Sequence, residues 1–266
     1  MSFMVVGTNS DRVYQWNLSS AWDLSSGVSV VSTSLYVGNQ ASSPNSMDFN
    51  SDGTKLYVID YNGNIYQYGL TAGFNISTAS YDSVTSGQLS TTDCMGMRFN
   101  SDGTKIFISF NTVTGGDAEN KSSIREYSLS TPHDISTLTH VDTAGILLPN
   151  SLPSQNPDAL SLSADGKRIF VVYHGTNSSS ATVEQYSLTL PYDTTNFTLD
   201  GALNVDDLVS DRTLTQGRAI AFSAQGFKMF IADDGSRDSD LVEEIYEFDL
   251  ACPFNLFAGK CNAISE

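Results

Sequence analysis

Basic residues are scarce in this chain: 13 Lys and Arg stand against 30 Asp and Glu, a formal charge of −17 over 266 residues. A surface of that sign repels polyphosphate and anionic headgroups, so neither nucleic acid nor a membrane surface is expected as a partner. Acidic surfaces also serve solubility, which leaves the reason for the charge open. Long apolar runs are missing, and none approaches the roughly 20 residues of a bilayer-spanning helix. The opening stretch "MSFMVVGTNS" carries neither a basic segment nor a small-residue cleavage site, so it reads as a strand rather than an export signal. Three cysteines are too few for a disulfide framework. Cys94 opens a strand-like run and fits a small buried residue. Cys252 and Cys261, in "CPFNLFAGKC", flank a turn whose hairpin geometry lets them approach. They could close a short loop or remain two thiols. With three scattered histidines (His133, His140, His174) and no H-E-x-x-H, P-loop, G-x-S-x-G or paired-Cys zinc pattern, the commonest catalytic centres have no motif here.

Repetition is what the chain has in abundance. "NSDGTKLYVID" (50–60) returns as "NSDGTKIFISF" (100–110), then more faintly as "SADGKRIFVVY" (163–173) and "SAQGFKMFIAD" (223–233), with glycines at Gly53, Gly103, Gly166 and Gly226. A second series reads "VYQWNL", "IYQYGL", "IREYSL", "VEQYSL" and "IYEFDL", centred on Trp16, Tyr68, Tyr127, Tyr186 and Phe248. Seven residues after each aromatic stands Asp23, Asn75, Asp134, Asp193 or Asn255. Five copies of one unit account for this, at about 1–43, 44–93, 94–156, 157–216 and 217–266, forming a single domain.

Each copy divides into four strand signals. An alternating run such as "SMDFN" leads through a tight turn, where Gly supplies positive φ, into an apolar strand such as "KLYVID". A loop of variable length leads to the "IYQYGL" strand. The Asp or Asn position follows, suited to an Asx turn, and then a weaker fourth strand such as "ASYDSV". Four antiparallel strands at this period describe a blade, so the expected fold is all-β, a five-bladed β-propeller. The first copy begins at its second strand, since "SFMVVG" aligns with "LYVIDY"; its blade should lack the inner strand, and that edge should be covered. The last copy should reach its fourth strand within "KCNAISE". His133 falls where the other copies have Trp22, Phe74, Tyr192 and Phe254, which marks a packing slot rather than a catalyst.

The run "DGTK-[LI]-[YF]-[VI]", followed by "YQY-x-L" and "D-[IL]-S-T", resembles propeller repeats of structural and tail-associated proteins of marine bacteriophages. The resemblance covers nearly the whole chain. It implies a non-enzymatic virion protein, assembled in the host cytoplasm and working outside it, that contacts other virion proteins, the host surface, or further copies of itself. A lectin-like propeller of a marine bacterium, or a lactonase-like hydrolase, are the alternatives. A lactonase would want Asp, Glu and Asn around one ion at the channel mouth, where Asp158 and Asn45 could be recruited.

The Asp-Gly and Asx turns belong to one end of the blades, and the loops that differ between copies belong to the other. That varied end is acidic. Asp117, Glu119, His174, Asn177, Asp206, Asp207, Asp233, Asp234, Asp238 and Asp240 are its candidate binding residues. Ca²⁺ is the cation such carboxylates would take, best at 233–240, although Arg237 stands in the middle of that segment. Counting five residues back from each turn glycine gives an inner ring of Asp48, Arg98, Ser161 and Ala221, with Asp48 and Arg98 expected to pair. One carboxylate in that ring is short of the two that glycoside hydrolysis usually needs.

Overall fold

A computed structural model of the chain describes residues 2–7, 10–89, 93–111, 122–148, 156–174, 180–209, 216–233 and 244–257. These residues are strands joined by turns, with three short 3₁₀ turns and no α-helix among them. The fold class is that of a five-bladed β-propeller, each blade a small antiparallel sheet. The chain divides into two compact units, Met1–Asn150 and Ser151–Glu266.

The first unit holds three blades. The first comprises β1 (Ser2–Gly7), β2 (Arg12–Ser20) and β3 (Asp23–Val30), with the two-residue β4 (Leu35–Tyr36) on the far end of β2. The second is β5 (Pro44–Phe49), β6 (Lys55–Asp60), β7 (Asn64–Leu70) and β8 (Ala79–Gln88). The third is β9 (Cys94–Phe99), β10 (Lys105–Phe110), β11 (Ser123–Leu129) and β12 (Leu138–Leu147). In the second unit, β13 (Asn156–Leu162), β14 (Arg168–His174), β15 (Thr182–Leu188) and β16 (Phe197–Asn204) form the fourth blade. β17 (Gly217–Phe222), β18 (Lys228–Asp233) and β19 (Glu244–Asp249) belong to the fifth.

Register settles the first blade. Phe3 of β1 stands opposite Trp16, as Leu56 of β6 stands opposite Tyr68 and Ile106 of β10 opposite Tyr127. β1 is therefore a second strand, and the first blade has three strands. The outer strands β8 and β12 are ten residues long, hence not the weaker elements their sequences suggest. The expected fourth strand of the fifth blade, at "KCNAISE", lies outside the described residues. Apolar residues of the second and third strands fill the cores. Tyr68, Tyr127 and Tyr186 are at most 2% exposed, whereas Trp16 and Phe248 remain half-buried.

Four blades share one construction at the turn between first and second strands. Gly53, Gly103, Gly166 and Gly226 take φ of 71°, 73°, 69° and 74°, the left-handed region that a Cβ disfavours. The turn after the third strand of the same blade brings an aromatic ring down on each: Phe74, His133, Tyr192 and Phe254 would lie within 2.4 Å of a Cβ there. Each of these four donates its backbone N–H to the glycine carbonyl below it. The following Asp or Asn accepts from the amide two residues on in all five copies, as for Asn75 with Ser77 and Asp134 with Ser136. Asp52, Asp102 and Asp165 hold their turns through the amides of Thr54, Thr104 and Lys167. Gln225 replaces that Asp in the fifth blade, where the Gly226 N–H still closes the turn on the Ser223 carbonyl. His133 thus sits in the aromatic slot.

The glutamine of the third-strand motif has an inter-blade role. Gln15 donates to the Phe74 carbonyl and accepts from the Ile76 amide of the second blade. Gln185 accepts from the Leu256 amide of the fifth blade in the same way. Both side chains are buried, so these bonds are shielded from water.

A polar cluster at the inner strand bulges

The inner strands do not pair evenly with their neighbours. Register shifts between Pro44 and Ser46, between Pro157 and Ala159, and between Gly217 and Ala219 leave Asn45, Asp158 and Arg218 as extra residues. In the third blade the shift opposite Ile108 and Phe110 falls around Met95. These four residues stand eight positions before their turn glycines, three earlier than the ring counted from the sequence. A bulge frees its extra residue from strand alternation and re-aims the side chain.

The bulge positions of successive blades reach one another. Asn45 Nδ2 donates to the Cys94 carbonyl at 2.8 Å, with Met95 Sδ at 3.7 Å. In the second unit the contact is charged: Arg218 Nη1 donates to Asp158 Oδ2 at 2.5 Å. His174 Nδ1, at the end of β14, lies 3.0 Å from the same oxygen. Arg218 Nη2 donates to Gln216 Oε1 at 2.8 Å, and the Gln216 amide donates to Asp233 Oδ1 at 2.7 Å. One hydrogen-bonded path therefore links His174, Asp158, Arg218, Gln216 and Asp233 across the fourth and fifth blades.

Exposure separates the roles within this path. The Asp158 side chain is 3% exposed, His174 20% and Arg218 42%. Asp158 is the buried anchor, and the imidazole and guanidinium are the groups that solvent reaches. Asp158 Oδ1 is buried without a hydrogen-bond partner among the described residues. A buried acceptor in that condition costs about 1–3 kcal/mol. With the hydrogen on Nδ1, turned to Asp158, the imidazole keeps Nε2 as an acceptor.

The pair expected three residues later does not form. Asp48 Oδ1 and Oδ2 accept the amides of Phe49 and Phe99 at 2.9 and 2.8 Å. Arg98 Nη1 instead donates to the carbonyls of Met47 and Met97. Backbone groups on the adjoining inner strands reach both side chains first, so carboxylate and guanidinium act as separate inter-strand ties. Burial pushes the Asp48 carboxyl above its ordinary range, against the lowering effects of Arg98, the two amides and His133. Ser161 is buried in the fourth blade and carries no charge.

Of the candidate binding residues, Asp117, Glu119, Asn177, Asp234, Asp238 and Asp240 lie outside the described residues. His174 and Asp233 both join the path just traced, at its two ends. Asp206 instead accepts from Ser180 Oγ beside the turn Val205–Leu208, and Asp207 is exposed on that turn. No group of three or more His, Cys, Asp or Glu side chains with metal-binding geometry occurs among the described residues. Cys252 is disulfide-bonded, and Cys94 is a buried thiol outside any disulfide. Cys261, the other member of the expected pair, lies outside the described residues. The sequence pointed to Asp158 and Asn45 singly but missed Arg218. Counting eight residues back from each turn glycine, rather than five, aligns all three.

No family model matches the chain, and no curated protein matches it either. Solved structures similar to it include a candidate 6-phosphogluconolactonase from Bacteroides uniformis, at 12% identity and a TM-score of 0.49, over 93% of this chain and 71% of that one. Sqt1 of Chaetomium thermophilum aligns at 12% identity and 0.44, over 92% of this chain and 52% of that protein. The β-propeller domain of Cps50 (Swd1) from Myceliophteria thermophila aligns at 10% identity and 0.45, over 84% and 60%.

Proposed function

We propose that this chain is a non-enzymatic binding and assembly propeller of a phage particle, a tail-associated or fibre component whose varied loop end meets its partner. One observation carries the reading: the two ends of the blades are built differently. At one end four copies repeat the same glycine, aromatic lid and Asx turn. At the other end the copies diverge, and there the inner strands of the fourth and fifth blades, with the end of β14, present the His174–Asp158–Arg218 path. Rigid scaffolds that carry variation on one set of loops are the usual build of binding proteins. The phage setting and the virion location rest on the resemblance of the repeats.

Gold-labelled antibodies against the chain should decorate the tail or an appendage of purified particles. Recovery of the chain only from the soluble lysate, with none on particles, would refute the virion setting. Purified protein offered lactones, esters and glycosides, with and without Ca²⁺, should give rates equal to buffer. Turnover abolished by Asp158→Asn would refute the non-enzymatic half.

A further inference from the structure

We infer that His174, Asp158 and Arg218 form a recognition site for vicinal hydroxyls of a neutral sugar, a glycan contact on the loop end of the fourth and fifth blades. The inference rests on the binding role proposed above and names its ligand; it does not depend on the virion setting.

Charge and hydrogen-bond type together select the ligand. Asp158 and Arg218 offset each other's charge at 2.5 Å, and Asp233 stands at the far end of the same path as a second carboxylate. An anionic ligand therefore gains little here and also meets a chain of net charge −17, whereas a neutral hydroxylated one is not repelled. What the cluster offers is direction. The guanidinium is a planar donor braced by Asp158 on one Nη and by Gln216 on the other. With the hydrogen on Nδ1, facing the same carboxylate, the imidazole presents Nε2 as an acceptor. Asp158 Oδ1 is itself closed to solvent, so the carboxylate braces the two exposed groups rather than meeting the ligand. Adjacent sugar hydroxyls fit such a set, because each can accept from one neighbour while donating to the next. Anchoring by a carboxylate that is 3% exposed fixes the geometry before a ligand arrives, which lowers the ordering cost of binding.

The test uses the purified chain and an array of neutral oligosaccharides, with sulfated and sialylated ones alongside, followed by calorimetric titration of any hit. Wild type should bind at least one neutral glycan. Arg218→Met and His174→Phe should each weaken it at least tenfold, and Lys228→Gln, at the opposite end of β18, should leave it unchanged. Because Arg218→Met leaves Asp158 buried without its cation, the neutral double variant Asp158→Asn/Arg218→Gln is read beside it, with thermal melting to verify folding. Binding confined to sulfated or sialylated sugars, absence of any glycan binding, or binding indifferent to folded Arg218 and His174 variants would each overturn the inference. Any of these can occur while gold labelling still finds the chain on particles, so the two readings fail separately.

Discussion

Gly103→Ala asks whether the aromatic lid or the backbone makes the turn glycines necessary. Gly103 has φ +73°, and a Cβ there would lie 2.2 Å from the His133 ring. That ring cannot readily swing away: it packs 5.1 Å from Phe99 and stacks on Tyr57, whose hydroxyl donates to the His133 carbonyl. Gly87 provides the control, since it has φ +71° but nothing within 4 Å of its would-be Cβ. Gly87→Ala should therefore show the conformational cost alone, about 1–2 kcal/mol. Gly103→Ala should add an overpacking cost of about 1–3 kcal/mol. At about 2–4 °C per kcal/mol for chains near this size, the two melting temperatures should separate clearly. Both tryptophans, Trp16 and Trp22, lie in the same compact unit as these glycines, so their fluorescence in a urea titration reports the loss. In a His133→Ala background the extra cost should vanish, a coupling of about 1–3 kcal/mol. Equal costs at Gly87 and Gly103, or no coupling to His133, would refute the lid argument.

Three further outcomes are expected. Burial holds the His133 imidazole below its ordinary pKa of 6.5, against the raising effects of Asp48, Asp102 and Asp52. The unfolded chain then binds this proton first, so stability should fall as pH drops through 6.5 and below. In His133→Phe, the residue found at Phe74 and Phe254, that part of the pH dependence in thermal melts should disappear. Gln15→Ala leaves the Ile76 amide and Phe74 carbonyl without their partner and should cost about 1–3 kcal/mol in denaturant titration; a change within error would demote the inter-blade clamp. Burial pushes the Cys94 thiol up to about 12, so iodoacetamide at pH 8 should not label it in the native protein. In urea without reductant Cys94 alone should be labelled, and all three cysteines after reduction; three labels without reductant would remove the disulfide at Cys252.

The periodic features were legible in the sequence because each is local. A turn glycine is required by its own φ, an Asx turn by an amide two residues away, and strand alternation by the pleat. Residues tied to neighbours so near in the chain leave a fixed spacing that repeats from copy to copy. The three-stranded first blade was readable for the same reason, from the match of "SFMVVG" to a second strand. What the tertiary structure alone decided concerns contacts between blades. Asp48 and Arg98 have the right charges to pair, yet backbone amides and carbonyls of the adjoining inner strands satisfy each one first. The charged contact forms three positions earlier, because a bulge at Asp158 and another at Arg218 turn those side chains out of strand alternation and toward each other. Asp158 and Arg218 are 60 residues apart. No local rule couples them; only packing of neighbouring sheets brings such positions within reach of one hydrogen bond.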